Sequence, residues 1–598
     1  MIINELSKPL AFFISIIFHL RNLSDYYNRC GNLPAPGMEE KEIGFVIVIS
    51  KEGKFLRFED CRTDKTIGRV YLVKKHVSRS SAAVANYLYD NSAYVLGYSD
   101  KDDSEKNQLY FNTFVEKVQS ILDRMPDNSD IRTLMNFYAQ GREAIHSEVE
   151  QDPLWEDIKK NLSKKYSVFS FRIEGDLRIL AEKKELMQTN EGTKNDNSRG
   201  LCMVTGVQGE LVDTTTATMI QGSQATAKLV AFQVNSGYDS YGKEKCGNAP
   251  ISHEAEFAYT TALNTMLRRD SRNKFTVGNR TFVFWASSND KAAEQAEESL
   301  FDLLGYSEEK KDNPNAKIEQ VRKVFTAIYS GSLSTSLEDR FYILGLAPNS
   351  ARIAVVYWSE TPLRDFAGKI LRHFDDMEII DTRKDRKPYM GIKDILSAVT
   401  LGGKQSEATP NLPESIIKSI FLGTPYPYTL LSACIRRIRA ESGDGNAARI
   451  TRIAIIKAFL NRQNVNDKRM EIMLDKRNTN QGYLCGRLFA VLDRIQEDAN
   501  GISSIRERYM NAASSTPSSV FATILNLSSH HLENLSNEGK KVFYEKLKQE
   551  IIDKISSDGF PAHLDLQDQG RFFVGYYHQR QDFFNKKEEN NNDESVNA

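Results

Sequence analysis

The best catalytic candidate is His373-Phe-Asp375-Asp376-Met-Glu378-Ile-Ile-Asp381, a cluster of oxygen ligands that could hold magnesium for phosphodiester cleavage. Its carboxylates are flanked by Arg372, Arg383, Lys384 and Arg386, so the stronger reading is a solvated, mutually neutralised face. A metal-dependent nuclease built on Asp375, Asp376 and Glu378 is the rival. His253-Glu254 opens like a zinc-protease helix, but Phe257 stands where the second histidine belongs. Gly402-Gly403-Lys404 resembles the end of a phosphate loop, yet Gln405 replaces the magnesium-binding Ser or Thr. His530, His531 and His563 have no clustered partners, and Gly-x-Ser-x-Gly and Gly-x-Gly-x-x-Gly are both absent. The cysteines, at 30, 61, 202, 246, 434 and 485, form no Cys-x-x-Cys and read as reduced thiols of a cytoplasmic protein. No metal site, cofactor or catalytic residue is expected.

Groups suited to binding are more plentiful. Between Leu201 and Arg269 the chain is rich in amide, hydroxyl and glycine, and Gln221, Ser223, Gln224, Lys228, Tyr241, Lys243 and Asn248 offer partners for base edges and phosphates. Lys74, Lys75, Arg79 and Ser80, ahead of Asn86, pack cations and hydroxyls suited to gripping a phosphate backbone. From Cys434 to Met510 there are 15 Lys and Arg against 9 Asp and Glu, so positive charge is segregated there. Arg436, Arg437, Arg439, Arg449, Arg452 and Lys457 fall in patterns whose other faces are apolar, which suits a groove for single-stranded DNA. The bland alternatives are turns between strands, a solvated basic loop, and helix caps paired with neighbouring acids.

The elements that must position these groups follow from periodicity. Ile43–Ile49 and Lys54–Phe58 read as a hairpin joined at Glu52-Gly53. Phe111, Phe114, Val115, Val118, Ile121 and Leu122 recur at helical spacing. Ser252 reads as the N-cap of a helix over 254–267, with Glu254 and Glu256 suiting its dipole. Past Pro413 the pattern is mainly helical: Ile450, Ile453, Ala454, Ile456 and Leu460 mark one helix face, and Leu484, Leu488, Val491 and Ile495 another.

Dilutions of large apolar residues near 186–200, 307–317 and 402–413 set the expected boundaries. The expectation is an α+β multidomain protein: an N-terminal α/β domain (1–200), a central Gly/Ser/Asn-rich domain (201–306), an α/β domain (307–412) and a C-terminal α-helical bundle (413–598) with a disordered tail. The 598 residues carry 79 Lys and Arg against 80 Asp and Glu, which excludes coating nucleic acid through bulk charge, so any polyanion site is local. The apolar run Leu10–Leu20 is too short to cross a bilayer, and no membrane association is expected.

Cys202–Gly206 (CMVTG), the GSQA segment from Gly222, Ser240–Lys243 (SYGK), Asn248–Ser252 (NAPIS), Phe257–Asn264 (FAYTTALN) and Phe282–Ala286 (FVFWA) closely resemble the large subunit of type I-C CRISPR Cascade. Leu33–Gly37, Asn91–Gly97, Phe341–Asn349, Arg352–Trp358 and Tyr483–Val491 follow in that family's order, so the resemblance spans about Ile17 to Tyr577. The first sixteen residues look like an addition to it.

The resemblance implies a non-catalytic subunit of an RNA-guided surveillance complex. Its partners would be CRISPR RNA, a guide-capping subunit, a repeated backbone subunit, a small subunit, target double-stranded DNA and a separate helicase-nuclease. Guide pairing would read the target, while this chain reads a short flanking duplex motif, the PAM, and holds the displaced strand. It also implies an internal start, at Met470 or Met473, that yields the C-terminal helical portion (small-subunit-like from about 470) as a separate small subunit.

Overall fold

The computed structural model describes residues 17–77, 79, 83–100, 104–164, 166–187, 199–231, 242–304, 316–382, 390–404, 408–409, 411–440, 447–463, 469–502 and 504–596, without the side chains of 316–318, 447–449 and 585–596. It has the expected class: mixed α/β sheets toward the N-terminus and a mostly helical C-terminal region. The chain forms two compact units. One comprises Met1–Thr214 with Phe232–Ala262, the other Thr215–Ala231 with Leu263–Ala598, so residues 201–306 contribute to both. Among the described residues no helix is long and apolar enough to cross a membrane.

The first unit contains β1 (Met38–Ile43), β2 (Phe45–Ile49), β3 (Phe55–Asp60), β4 (Arg62–Asp64), β5 (Ile67–Lys74), β6 (Tyr89–Asn91), β7 (Val168–Ile173), β8 (Arg199–Leu201) and β9 (Gln208–Glu210). Its larger sheet runs β3-β2-β7-β6, with β2 parallel to β7 and the outer pairs antiparallel. All five residues of β2, FVIVI, are buried, as a continuous apolar run in a central strand should be. The expected hairpin is present, and Gly53 at φ 87° explains its turn: a Cβ there would meet the Thr133 carbonyl at 2.7 Å. The helix Ser104–Arg124 buries Phe111, Phe114, Val118 and Ile121 in the core that also holds Phe45, Phe169 and Phe171. A smaller antiparallel sheet, β1-β5-β4, delivers Lys74 at the end of β5.

In the second unit β10 (Lys274–Val277), β11 (Arg280–Ala286), β12 (Arg340–Asn349) and β13 (Arg352–Pro362) form an antiparallel sheet in sequence order. Phe275, Phe282, Phe284, Phe341 and Ile343 join it to one continuous core with the helices that follow. The helix Ala447–Gln463 is buried on every side from Ile450 to Arg462, so the one-sided face expected for it is a complete jacket of neighbours. Helices Gln481–Asn500 and Leu566–Val596 approach so closely that a Cβ on Gly486 would lie 1.9 Å from the Phe572 carbonyl oxygen. Only glycine fits that seam.

Candidate nucleic-acid interface

β5 ends at Lys74, and the chain runs on to β6 through a segment pinned by its own polar groups. The Val77 N–H donates to Asn86 Oδ1 at 2.9 Å and the Asn86 N–H to Asp90 Oδ2 at 2.8 Å. Asn86 is therefore buried as a brace, not displayed. Lys74 is half-buried with its ammonium 3.9 Å from the centre of the Tyr87 ring. Lys75 stands 3.8 Å from the buried Glu256 carboxylate and 5.5 Å from the Phe257 ring centre. Arg79 pairs with the buried Asp90, donates to the Val84 carbonyl at 2.7 Å and lies 4.0 Å over Tyr94. Ser80 is outside the described residues. Rings beneath cations fix where the charge points while leaving part of it to water.

At the base of this segment His76 Nδ1 meets Glu39 Oε2 at 2.6 Å and the Tyr89 hydroxyl donates to Glu39 Oε1 at 2.9 Å. Burial by itself would raise the Glu39 carboxyl, but the His76 ring, Lys41 and the Tyr89 hydroxyl outweigh it and hold Glu39 below its ordinary value.

Also in the first unit, exposed Lys243 accepts, through its carbonyl, the Asn248 side-chain N–H at 2.8 Å. Tyr241 lies outside the described residues. Ser252 caps the helix His253–Met266, its Oγ accepting the Ala255 N–H at 3.3 Å, and Phe257, where a zinc ligand would be needed, packs edge-on against Tyr27.

In the second unit, residues 218–227 form a loop closed by Thr218 N–H to the Ala227 carbonyl at 2.7 Å. Ser223 is spent inside it, its hydroxyl donating to the Ile220 carbonyl at 2.8 Å, while Gln221 and Gln224 are exposed. Half-buried Lys228 forms a parallel bridge with Arg352 at the start of β13.

The C-terminal cations divide sharply. Arg436 is exposed, and Arg437 and Arg439 are half-buried on the helix Tyr428–Ala440. Arg439 donates to Ser514 Oγ at 2.9 Å, and burial lowers its pKa. Arg452, 3% exposed, donates to the Ala398 carbonyl at 2.6 Å. Lys457, 2% exposed, reaches the Asp376 carbonyl at 2.9 Å, and burial brings its ammonium down to about 8. The Arg449 side chain lies outside the described set. Arg452 and Lys457 thus satisfy carbonyls of the core rather than lining a groove.

The carboxylates of the nuclease reading point apart. Asp376 is buried between Arg462 Nε at 2.5 Å and Arg469 at 2.9 Å, whereas Asp375 and Glu378 face outward near Arg322, at 3.4 and 3.9 Å. His373 is wholly buried, 2.6 Å from the Tyr426 hydroxyl, and burial beside Arg462 lowers its pKa to about 3. Among the described residues no three His, Cys, Asp or Glu side chains are gathered as a metal set.

Sequence reasoning missed the braces Glu39, Tyr89 and Asp90, because nothing in their spacing marks them as the partners of His76, the Lys74 carbonyl and Arg79. It also passed over a backbone signal: Leu88, Lys245 and Ser350, at φ 62°, 48° and 57°, are non-glycine residues in the left-handed region, and each lies in or against one of the three polar segments.

No curated protein matches the chain. The family model described as CRISPR-associated protein (Cas_Csd1) matches residues 23–584. With its mixed N-terminal sheets, helical C-terminal region and a match over nearly its whole length, the chain belongs to the Cas_Csd1 family, the type I-C large subunit.

Proposed function

We propose that this chain recognises the PAM in double-stranded DNA for a type I-C surveillance complex in the cytoplasm, holds the displaced strand, and helps recruit the helicase-nuclease that does the cutting. The observation that carries the reading is the family match over residues 23–584, which implies a role in type I-C Cascade. Two separate features support it: the partially exposed cations Lys74 and Lys75 of the first unit suit phosphate contact, and the exposed amides Gln221 and Gln224 of the second unit suit base reading. Arg436 and its half-buried neighbours Arg437 and Arg439 are the cations left for the displaced strand.

The test is target binding by the complex purified from co-expressed subunits with CRISPR RNA. Lys74→Glu with Lys75→Glu weakens binding and flattens its salt dependence, the logarithmic slope falling by about 1 for each lost phosphate contact. Unchanged binding and slope would reject duplex contact by these residues. The same preparation with magnesium or manganese leaves DNA intact in the absence of the helicase-nuclease; cleavage abolished by Asp375→Ala would restore the nuclease reading.

A further inference from the structure

The hairpin β12–β13 outruns its own core. β12 is buried from Phe341 to Leu346, but Ala347 and Pro348 are half-buried, and Asn349, Ser350 and Ala351 are exposed. On the return strand Ile353, which pairs with Pro348, is buried, so the part of the hairpin left to solvent is its turn, residues 349–351. A two-stranded ribbon fits the width of the major groove in B-form DNA, whereas the deep, narrow major groove of A-form RNA does not admit it.

The tip is built rather than frayed. Ser350 holds φ 57°, a conformation that hairpin turns ordinarily assign to Gly, Asn or Asp. The loop 218–227 is sewn alongside: Lys228 N–H donates to the Ala351 carbonyl at 3.3 Å, Ile353 N–H to the Lys228 carbonyl at 3.0 Å, and Gln224 Nε2 to Ser350 Oγ at 3.5 Å. A Cβ on Gly222 would touch Pro348 at 3.5 Å, so the loop lies directly against the hairpin. Gln221, Gln224, Asn349 and Ser350 thereby share one end of the sheet, with Lys228 and Arg352 at its base.

We propose that the β12–β13 turn enters the major groove of the duplex beside the target, where Asn349 and Ser350 read base edges together with Gln221 and Gln224. This rests on the duplex-reading function proposed above and adds Asn349 and Ser350 to its specificity-determining residues. An amide matched to adenine and a hydroxyl that serves either base type suit that task.

The experiment uses the assembled complex and target duplexes with randomised flanking base pairs, sequenced after selection. Asn349→Ala with Ser350→Gly, glycine keeping the left-handed backbone, is compared with Gln221→Ala/Gln224→Ala, and equal yield of assembled complex confirms folding. The hairpin variant relaxes base preference and lowers affinity for the preferred flank about tenfold, while a target whose flank is already unpaired binds as before. An undiminished preference in the hairpin variant overturns the inference. If the loop variant is altered alone, the hairpin inference falls and the duplex reading stands; if both variants and Lys74→Glu/Lys75→Glu behave as wild type, the duplex reading falls as well. Asn349→Asp gives a second check, since its added charge repels phosphates and lowers affinity without touching the backbone.

Discussion

The segment 74–90 and the helix Ala447–Gln463 are both rich in cations in sequence, yet they put that charge to opposite uses. In the first, Lys74 and Lys75 rest on rings with part of each ammonium in water. In the second, Arg452, Lys457 and Arg462 are almost wholly enclosed and answer to carbonyls and to Asp376. Positive charge counted along a chain is therefore no measure of positive surface. A buried guanidinium has exchanged water for fixed partners and has little left to offer a phosphate.

The comparison breaks most visibly at Asp376. Asp376→Asn leaves Arg462 buried without its counter-ion and lowers unfolding stability by about 3–5 kcal/mol, measured by denaturant titration. Lys74→Gln leaves the same titration within about 0.5 kcal/mol of wild type, since its ammonium rests on the Tyr87 ring and keeps solvent, and lowers target affinity at low salt. If the Asp376 variant proves as stable as the lysine variant, the distinction between enclosed and displayed charge is lost.

Acid separates the regions next. His373 has a folded pKa of about 3 against an ordinary 6.5, so protons prefer the unfolded chain, and the stability present above 6.5 is withdrawn as pH falls toward 3. Glu39 is also held below its ordinary value, but its contribution is complete above the ordinary carboxylate range and fades only below it. Thermal unfolding at pH stepped from about 7 to about 5 therefore shows the helical core around His373 losing stability, while the contribution of Glu39 persists over that interval. The smallest effect concerns Met470 and Met473, the first buried and the second 56% exposed. Replacing both with leucine leaves stability nearly unchanged, because leucine and methionine are close in volume, and removes the short C-terminal product from a gel of the expressed gene. A persistent short product rejects internal initiation at either position.

What the sequence made legible followed from local periodicity. The Gly53 hairpin, the helix bearing Phe111 and Phe114, the Ser252 cap and the helical character beyond Pro413 were all readable, because each is decided by residues close in the chain. The lining of the candidate site was not. Arg452 and Lys457 look like the polar side of an amphipathic helix until helices contributed from elsewhere close over them. Asn86 has a side chain suited to touching DNA but is committed to the Val77 N–H. Ser350 announces itself only through a backbone angle that a serine does not advertise.

One connection has practical weight for anyone who wishes to study the halves apart. The polypeptide passes from one compact unit to the other after Thr214, back after Ala231, and across again after Ala262. No single cut can sort the two bodies, and a truncation at any one of these junctions leaves at least one product missing a strip of its own interior or carrying a strip of the other's. A clean dissection needs the 215–231 strip transplanted onto the second unit and 232–262 joined to 1–214 before either half is asked to fold alone.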